Sequence, residues 1–344
     1  MRKIRVLVVE DSRFFQELLV NGINRDPALE VVAVASDPYE ARDAIIKYRP
    51  DVMTLDVELP RMNGIEFLKI LLPQYQLPVV MVSAINSLVF EAMAAGAVEF
   101  VNKPQGGSSP DQIFQFIETE LCGKIKIAST ARVAVPQTSA AAEQQPAARA
   151  DYGNTVIAIG ASTGGTEAIF KVVSGFREDI PGTVIVQHMP PGFTAMYADR
   201  LNNQCRVRVA EAHNGDVVEQ GKVLIANGAE HMRLVKSGSG YKVECQEGPK
   251  VSGHCPSVDV LFKSVAQAAG ANAIGVILTG MGADGANGML DMKLAGAETI
   301  GQNEKSCVVY GMPKVAYEIG AVKYQLDLSQ ISTKVYQLLN MRKK

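Results

Sequence analysis

Strand-sized apolar runs alternating with helical periodicity constrain this chain more than any other feature. Ile4 to Val9, Val31 to Ala35, Val52 to Leu55, Val79 to Val82 and Glu99 to Val101 form one series. Helical patterns fall between them: one begins at Ser12 and carries Phe15, Leu18 and Leu19, others cover Tyr39 to Lys47 and residues 64–72. A second series runs through Val156 to Ile159, Val184 to Val186, Val223 to Ala226, Ala273 to Leu278 and Glu298 to Ile300. Strands that are apolar throughout, without polar alternation, belong in parallel sheets covered by helices on both faces. Right-handed crossovers then predict an α/β fold with two doubly wound sheets. Around Lys236 to Tyr241 the pattern changes, and alternating stretches on either side of a glycine-rich turn predict an antiparallel hairpin appended to the second, mostly parallel sheet.

Composition shifts between the two series. No aromatic residue occurs between Cys122 and Asp151, and Ala, Gln, Ser and Thr dominate around Pro136 and Pro146. Such a stretch buries too little apolar surface to order itself. The expected organisation is therefore a domain over 1–122, a flexible linker over 123–152 and a second domain over 153–344. A length of 344 residues accommodates both cores. The net charge of −2 gives no electrostatic case for nucleic acid or an anionic membrane as partner. The apolar runs are too short to insert into a membrane, and Met1-Arg2-Lys3-Ile4-Arg5 leads straight into a strand without a signal-peptide cleavage region. Five scattered cysteines with no CxxC argue against a disulfide scaffold or zinc ribbon and fit reduced thiols in a cytoplasmic protein.

Chemistry-bearing residues fall at the strand ends. Glu10 and Asp11 follow the first strand, Asp56 the third, Ser83 ends the fourth and Lys103 follows the fifth. In an open parallel sheet these tips share one edge, where ligands bind. Three clustered carboxylates repel unless a cation neutralises them, and an oxygen-only set suits Mg²⁺. Asp56 is then placed to accept a phosphoryl group, with Ser83 donating to its oxygens and Lys103 offsetting charge. Taken singly, such residues are ordinary turn, cap and surface residues. Five of them on the tips of four strands of one sheet are not.

In the second series, Gly160-Ala161-Ser162-Thr163-Gly164-Gly165-Thr166 joins a buried strand to a helical pattern. Flanking glycines permit a sharp turn that exposes the hydroxyl, and the N–H groups opening the helix can stabilise an oxyanion. A phosphate-binding loop is the competing reading, but the segment fits neither GxGxxG nor the Walker pattern. Of four histidines, His188 directly follows a strand, whereas His213 and His231 lie in hairpin-like surroundings and His254 in a loop. Asp284 follows the strand ending at Leu278; Asp216 in a turn and Asp259 at a helix start are rivals. The order Ser, His, Asp differs from that of α/β-hydrolases.

The first constellation resembles the response-regulator receiver domain, which implies a flavodoxin-like five-stranded sheet. The resemblance implies Mg²⁺ on Glu10, Asp11 and Asp56, and phosphorylation of Asp56 by a histidine kinase. It also implies phosphoryl sensing by Ser83, Lys103 and the aromatic Phe100, and a cis Lys103–Pro104 bond. GASTGGT, QHMPPGF, PSVDVLF, LTGMGADG and QNEKSCVVYGMP together resemble the chemotaxis protein-glutamate methylesterase (CheB) family. That likeness implies a Ser162, His188, Asp284 triad, with Thr163 and Met281 supplying backbone N–H groups near the oxyanion. It implies hydrolysis of glutamate methyl esters on methyl-accepting chemotaxis receptors, deamidation of glutamines at the same site, and no cofactor for hydrolysis. It further implies a receiver that covers the hydrolytic site until phosphorylated. Two other classes remain: a receiver controlling a transcription effector, for which residues 153–344 show no clear helix-turn-helix or basic patch, and a degenerate hydrolase acting as a docking module.

Overall fold

The computed structural model describes residues 2–104, 108–133 and 151–342. Two compact units divide the chain, the first within residues 1–140 and the second within 141–344.

In the first unit, strands β1 (Ile4–Val9), β2 (Leu29–Ala35), β3 (Val52–Leu55), β4 (Val79–Ser83) and β5 (Glu99–Asn102) alternate with helices α1 (Arg13–Arg25), α2 (Pro38–Tyr48), α3 (Gly64–Leu71) and α4 (Val89–Ala94). The sheet is parallel in the order β2-β1-β3-β4-β5. Helix starts follow local chemistry: Ser12, Asp37 and Asn63 each accept a backbone N–H of the helix they open. After β5, α5 (Pro110–Phe116) passes through a π-helical turn, Ile117–Leu121, into α6 (Cys122–Ala128). Residues 123–128, expected in the linker, therefore continue this last helix. Ile125 and Ala128 are fully buried, and α6 packs on β3 and β4. Within the rest of the expected linker, residues 134–150 lie outside the described residues. Among the described residues the one cis bond is Cys255–Pro256, so Lys103–Pro104 does not take the expected cis form. Even before proline the trans isomer is the lower in free energy.

The second unit is built on seven parallel strands in the order β15-β14-β13-β6-β7-β10-β8. These are β6 (Val156–Ala161), β7 (Thr183–Gln187), β8 (Arg208–Glu211), β10 (Lys222–Ile225), β13 (Ala273–Ile277), β14 (Glu298–Gln302) and β15 (Tyr324–Leu326). Helices α7 (Gly165–Ser174), α8 (Phe193–Gln204), α9 (Val258–Ala269), α10 (Ala286–Leu294), α11 (Met312–Glu318) and α12 (Leu328–Arg342) cover it. In α9, Val258, Leu261, Phe262, Val265 and Ala269 recur at helical spacing and are buried against the sheet. The predicted hairpin forms as β11 (His231–Ser237) and β12 (Gly240–Gln246), but it is not part of the parallel sheet. With β9 (Val217–Val218) it makes a separate antiparallel sheet of three strands.

Strand order fixes where the chemistry sits. The chain leaves β6 toward β7 on one side and returns through β13 on the other, so a topological switch point lies at β6. Open α/β sheets bind ligands in the crevice beyond the carboxyl ends at such a point. Ser162 follows β6, His188 follows β7, and the Thr279–Asp284 loop follows β13. No helix among the described residues is long and apolar enough to cross a membrane.

Candidate active site

Asp284 is the best-anchored carboxylate of this edge. Its Oδ2 accepts from His188 Nε2 at 2.8 Å and from the Val258 N–H at 2.7 Å. Its Oδ1 accepts from Ser257 Oγ at 2.7 Å and from the Asp259 N–H at 3.1 Å. The backbone donors are orphan N–H groups at the start of α9, so the helix end favours a negative charge. Burial alone would raise the Asp284 pKa; the bonds from His188 and Ser257 overturn that, and the carboxyl is held below its ordinary value. An ionised carboxylate only accepts, so His188 Nε2 carries the proton it shares with Asp284. Its Nδ1 is buried without a hydrogen-bond partner among the described residues. Nδ1 is thus left clear of any other hydrogen bond, and in a neutral imidazole it is the atom that carries the lone pair a general base requires.

Ser162 lies on the neighbouring strand end. Its predecessor Ala161 is in register with Gln187, and the His188 N–H donates to the Ala161 carbonyl at 3.1 Å. Adjacent strands run about 4.8 Å apart, which sets His188 beside Ser162 on the rim. The turn depends on Gly164, whose φ of 73° is left-handed, and on the approach of Gly280: a Cβ there would lie 2.7 Å from Ser162 Cβ. The Ser162 N–H donates to the Thr279 carbonyl and the Gly165 N–H to the Ser162 carbonyl. Neither amide is available to an oxyanion, which leaves that role to other N–H groups of the rim. Thr163 is buried and its carbonyl accepts from Thr279 Oγ1 at 3.0 Å, while Met281 is 46% exposed.

Gln187, Ser257 and His254 escaped the sequence reading. Gln187 Nε2 donates to the carbonyls of Ser162 and His188, at 3.0 and 3.1 Å, and so ties the two loops together. Its position one residue before His188 is the one signal that pointed to it. Ser257 is visible in the sequence as a helix cap, and it does accept from the Val260 N–H, but its hydroxyl also holds Asp284. His254, a loop residue by sequence, stacks on His188 with ring centroids 3.7 Å apart. The rival acid Asp259 points elsewhere: its Oδ1 accepts from the Gly288 N–H at 2.7 Å and caps α10. Asp216 accepts from the His213 N–H in a turn, and His231 is held between the Ser257 N–H and the Pro249 carbonyl.

In the first unit, Lys103 Nζ bridges Asp56 Oδ2 and Glu10 Oε2, the latter at 2.7 Å. Burial raises the pKa of both carboxyls, more than the ammonium lowers it. Burial would lower the pKa of Lys103, but Asp56 and Glu10 prevail and raise it. Oxygens of Glu10, Asp11 and Asp56 all lie within 4.8 Å of one another, an all-oxygen donor set that fits Mg²⁺ with several of its waters retained. Ser83 is buried at the same edge and accepts from the Ile85 N–H, which leaves its own O–H to donate. Phe100 is half-buried, packed against the core of the unit.

Comparison with known proteins agrees with this partition. Residues 157–335 match the family described as CheB methylesterase, and residues 6–118 match the response regulator receiver domain. The chain belongs to the CheB methylesterase family. A Syntrophomonas wolfei relative named protein-glutamate methylesterase/protein-glutamine glutaminase 2 is 59% identical over 99% of both chains. One of the same general name from Salmonella typhimurium is 48% identical over 96% of both. The CheB methylesterase catalytic domain of Thermotoga maritima superposes with a TM-score of 0.53 at 35% identity, covering 54% of this chain and 98% of that one. The similarity to the two full-length relatives therefore extends across both matched segments of this chain.

Proposed function

We propose that this chain hydrolyses glutamate methyl esters on chemotaxis receptors under the control of phosphorylation at Asp56, and deamidates receptor glutamines at the same site. The observation that carries the reading is the His188–Asp284 pair, with the carboxylate held at a helix N-terminus and His188 Nδ1 left without a hydrogen-bond partner on the strand end next to that of Ser162. The names of the full-length relatives support the substrate class.

In this mechanism Ser162 Oγ attacks the ester carbonyl carbon as its proton passes to His188 Nδ1. Asp284 stabilises the imidazolium without taking the proton. N–H groups of Thr163 and Met281 receive the oxyanion. Collapse expels methoxide, which leaves as methanol with the proton from Nδ1. Water then gives a proton to Nδ1 and attacks the glutamyl-serine ester, and Ser162 regains that proton from Nδ1 as the acyl group departs as glutamic acid, which ionises and releases its proton to solvent. With an amide substrate the leaving group is ammonia.

On the receiver, Glu10, Asp11 and Asp56 would hold Mg²⁺, which neutralises charge during phosphoryl transfer from a histidine kinase. Lys103 exchanges part of its bridge for a phosphoryl oxygen, and Ser83 and Phe100 respond to that oxygen. The setting is the cytoplasm, where kinase and receptor tails meet. A phosphoryl group can shift activity only through differential contacts with two arrangements of the chain; relief of occlusion by the receiver is the arrangement we favour.

The test is methanol release from methylated receptor, with and without acetyl phosphate and Mg²⁺. Release should be stimulated by the phosphodonor. Asp56→Asn should retain basal release and lose the stimulation, and a chain beginning near Gly153 should exceed the unphosphorylated full chain. No methanol under any condition would end the ester reading, and a truncated chain no faster than the full one would end occlusion.

A further inference from the structure

His254 makes a contact that the triad mechanism does not use. Its ring lies nearly parallel to that of His188, with an interplanar angle of 11° and centroids 3.7 Å apart, and so covers one face of the base. The ring is delivered by a tight turn. Val251 and His254 exchange both backbone hydrogen bonds at 2.9 Å, and the two residues between them, Ser252 and Gly253, have φ of 52° and 85°. Both central residues with positive φ describe the type I′ hairpin turn. A non-glycine residue at such a φ is strained, and strain of this kind persists where surrounding contacts over-determine it.

The same segment then supplies Ser257 Oγ and the N–H groups of Val258 and Asp259 to Asp284. One short piece of chain therefore grips the carboxylate and covers the imidazole that the carboxylate orients.

We propose that His254 is a positioning residue: stacked on His188 and fixed by the Ser252–Gly253 turn, it holds the imidazole in the plane that keeps Nε2 on Asp284 and Nδ1 free for the serine proton. This rests on the hydrolase reading above. A catalytic imidazole rotates about two side-chain bonds, and rotation out of plane would separate Nε2 from Oδ2. A flat ring at van der Waals distance blocks that rotation and keeps water from the covered face. Burial first, then the neighbouring His188, push the His254 pKa down to about 4, so the covering ring is neutral at working pH. A neutral π-face also tolerates the imidazolium that forms during the reaction, as a cationic neighbour would not.

The experiment compares the wild-type full chain, His254→Ala and His254→Phe in three readouts: kcat and KM for methanol release from methylated receptor, the rate of serine labelling by a fluorophosphonate, and the thermal midpoint. His254→Ala should lower kcat by about tenfold or more, since small misplacements of catalytic groups have effects of that size. KM should stay within about twofold, labelling should slow in proportion to kcat, and His254→Phe should recover most of both rates because it restores the flat ring. Alanine kinetics equal to wild type, a rise in KM alone, or a phenylalanine variant as slow as alanine at an unchanged midpoint would each overturn the proposal. Wild-type labelling of Ser162 without methanol release would instead strike the ester reading itself.

Discussion

Ser162→Ala is expected to lower kcat for methanol release by about 10⁵- to 10⁶-fold, the range seen when a serine nucleophile is removed from a triad that acts as a unit. The structure gives reasons to expect that this loss is chemical and not a failure to fold. The hydrogen bonds that build the turn around Ser162 come from its backbone: the N–H to the Thr279 carbonyl, and the carbonyl to the Gly165 N–H and Gln187 Nε2. Alanine keeps all three. Its side chain is half-buried and small, so the stability change should stay within about 0.5 kcal/mol. Asp56 and its carboxylate cluster lie in the other unit and should accept phosphate from acetyl phosphate at the wild-type rate. Measured methanol release, phosphorylation and urea midpoint thus separate the outcomes. Turnover retained at even a hundredth of wild type would remove the serine from the mechanism and move attention to a water activated by His188.

The parts of this arrangement that were legible in the sequence share one physical property. Strands such as Val156–Ala161 are apolar on both faces because helices cover both, so a continuous run identifies them without knowledge of neighbours. Residues at the ends of such runs, Ser162, His188 and Asp284 or Glu10 and Asp56, inherit their positions from the sheet. What the sequence hid depends on contacts between segments far apart in the chain. The loop at 251–259 reaches the rim by folding back over it, and nothing local in Gly253-His254-Cys255 announces a stack on His188. Strand β9 has two residues, too few for a period, so the sequence shows the antiparallel hairpin but not the third strand that makes a separate sheet with it. The start of the linker was misplaced for a similar reason. Cys122–Ala128 lacks aromatic residues and alternates lysine with isoleucine, yet Ile125 is fully buried by packing against the sheet.

Asp284→Asn is expected to lower kcat by about 10⁴-fold, through the tautomer of His188 in one orientation of the amide and through loss of the charge that stabilises the imidazolium in the other, not through loss of bulk. The carboxylate accepts four hydrogen bonds, two on each oxygen. An amide offers one accepting oxygen and one donating nitrogen. If the nitrogen faces His188 and Val258, Nε2 must give up its proton to accept from it, the proton moves to Nδ1, and the base is lost. If the nitrogen faces Ser257 and Asp259, the Asp259 N–H meets another donor in a buried site. Either orientation leaves a buried donor unsatisfied, which costs about 1–3 kcal/mol of stability. The pH dependence gives an independent sign. Because the Asp284 pKa is lowered from 3.8 in the native state, that state binds fewer protons than the unfolded chain between the two values. The stabilisation is therefore complete above the unfolded value and disappears as pH falls through the native one. Urea unfolding of wild type and variant should differ most near neutral pH and converge in acid. A variant with kcat within tenfold of wild type, together with the full stability loss, would reduce Asp284 to a helix-end anchor. His188 would then have to be oriented by its remaining neighbours, with the ring of His254 foremost among them.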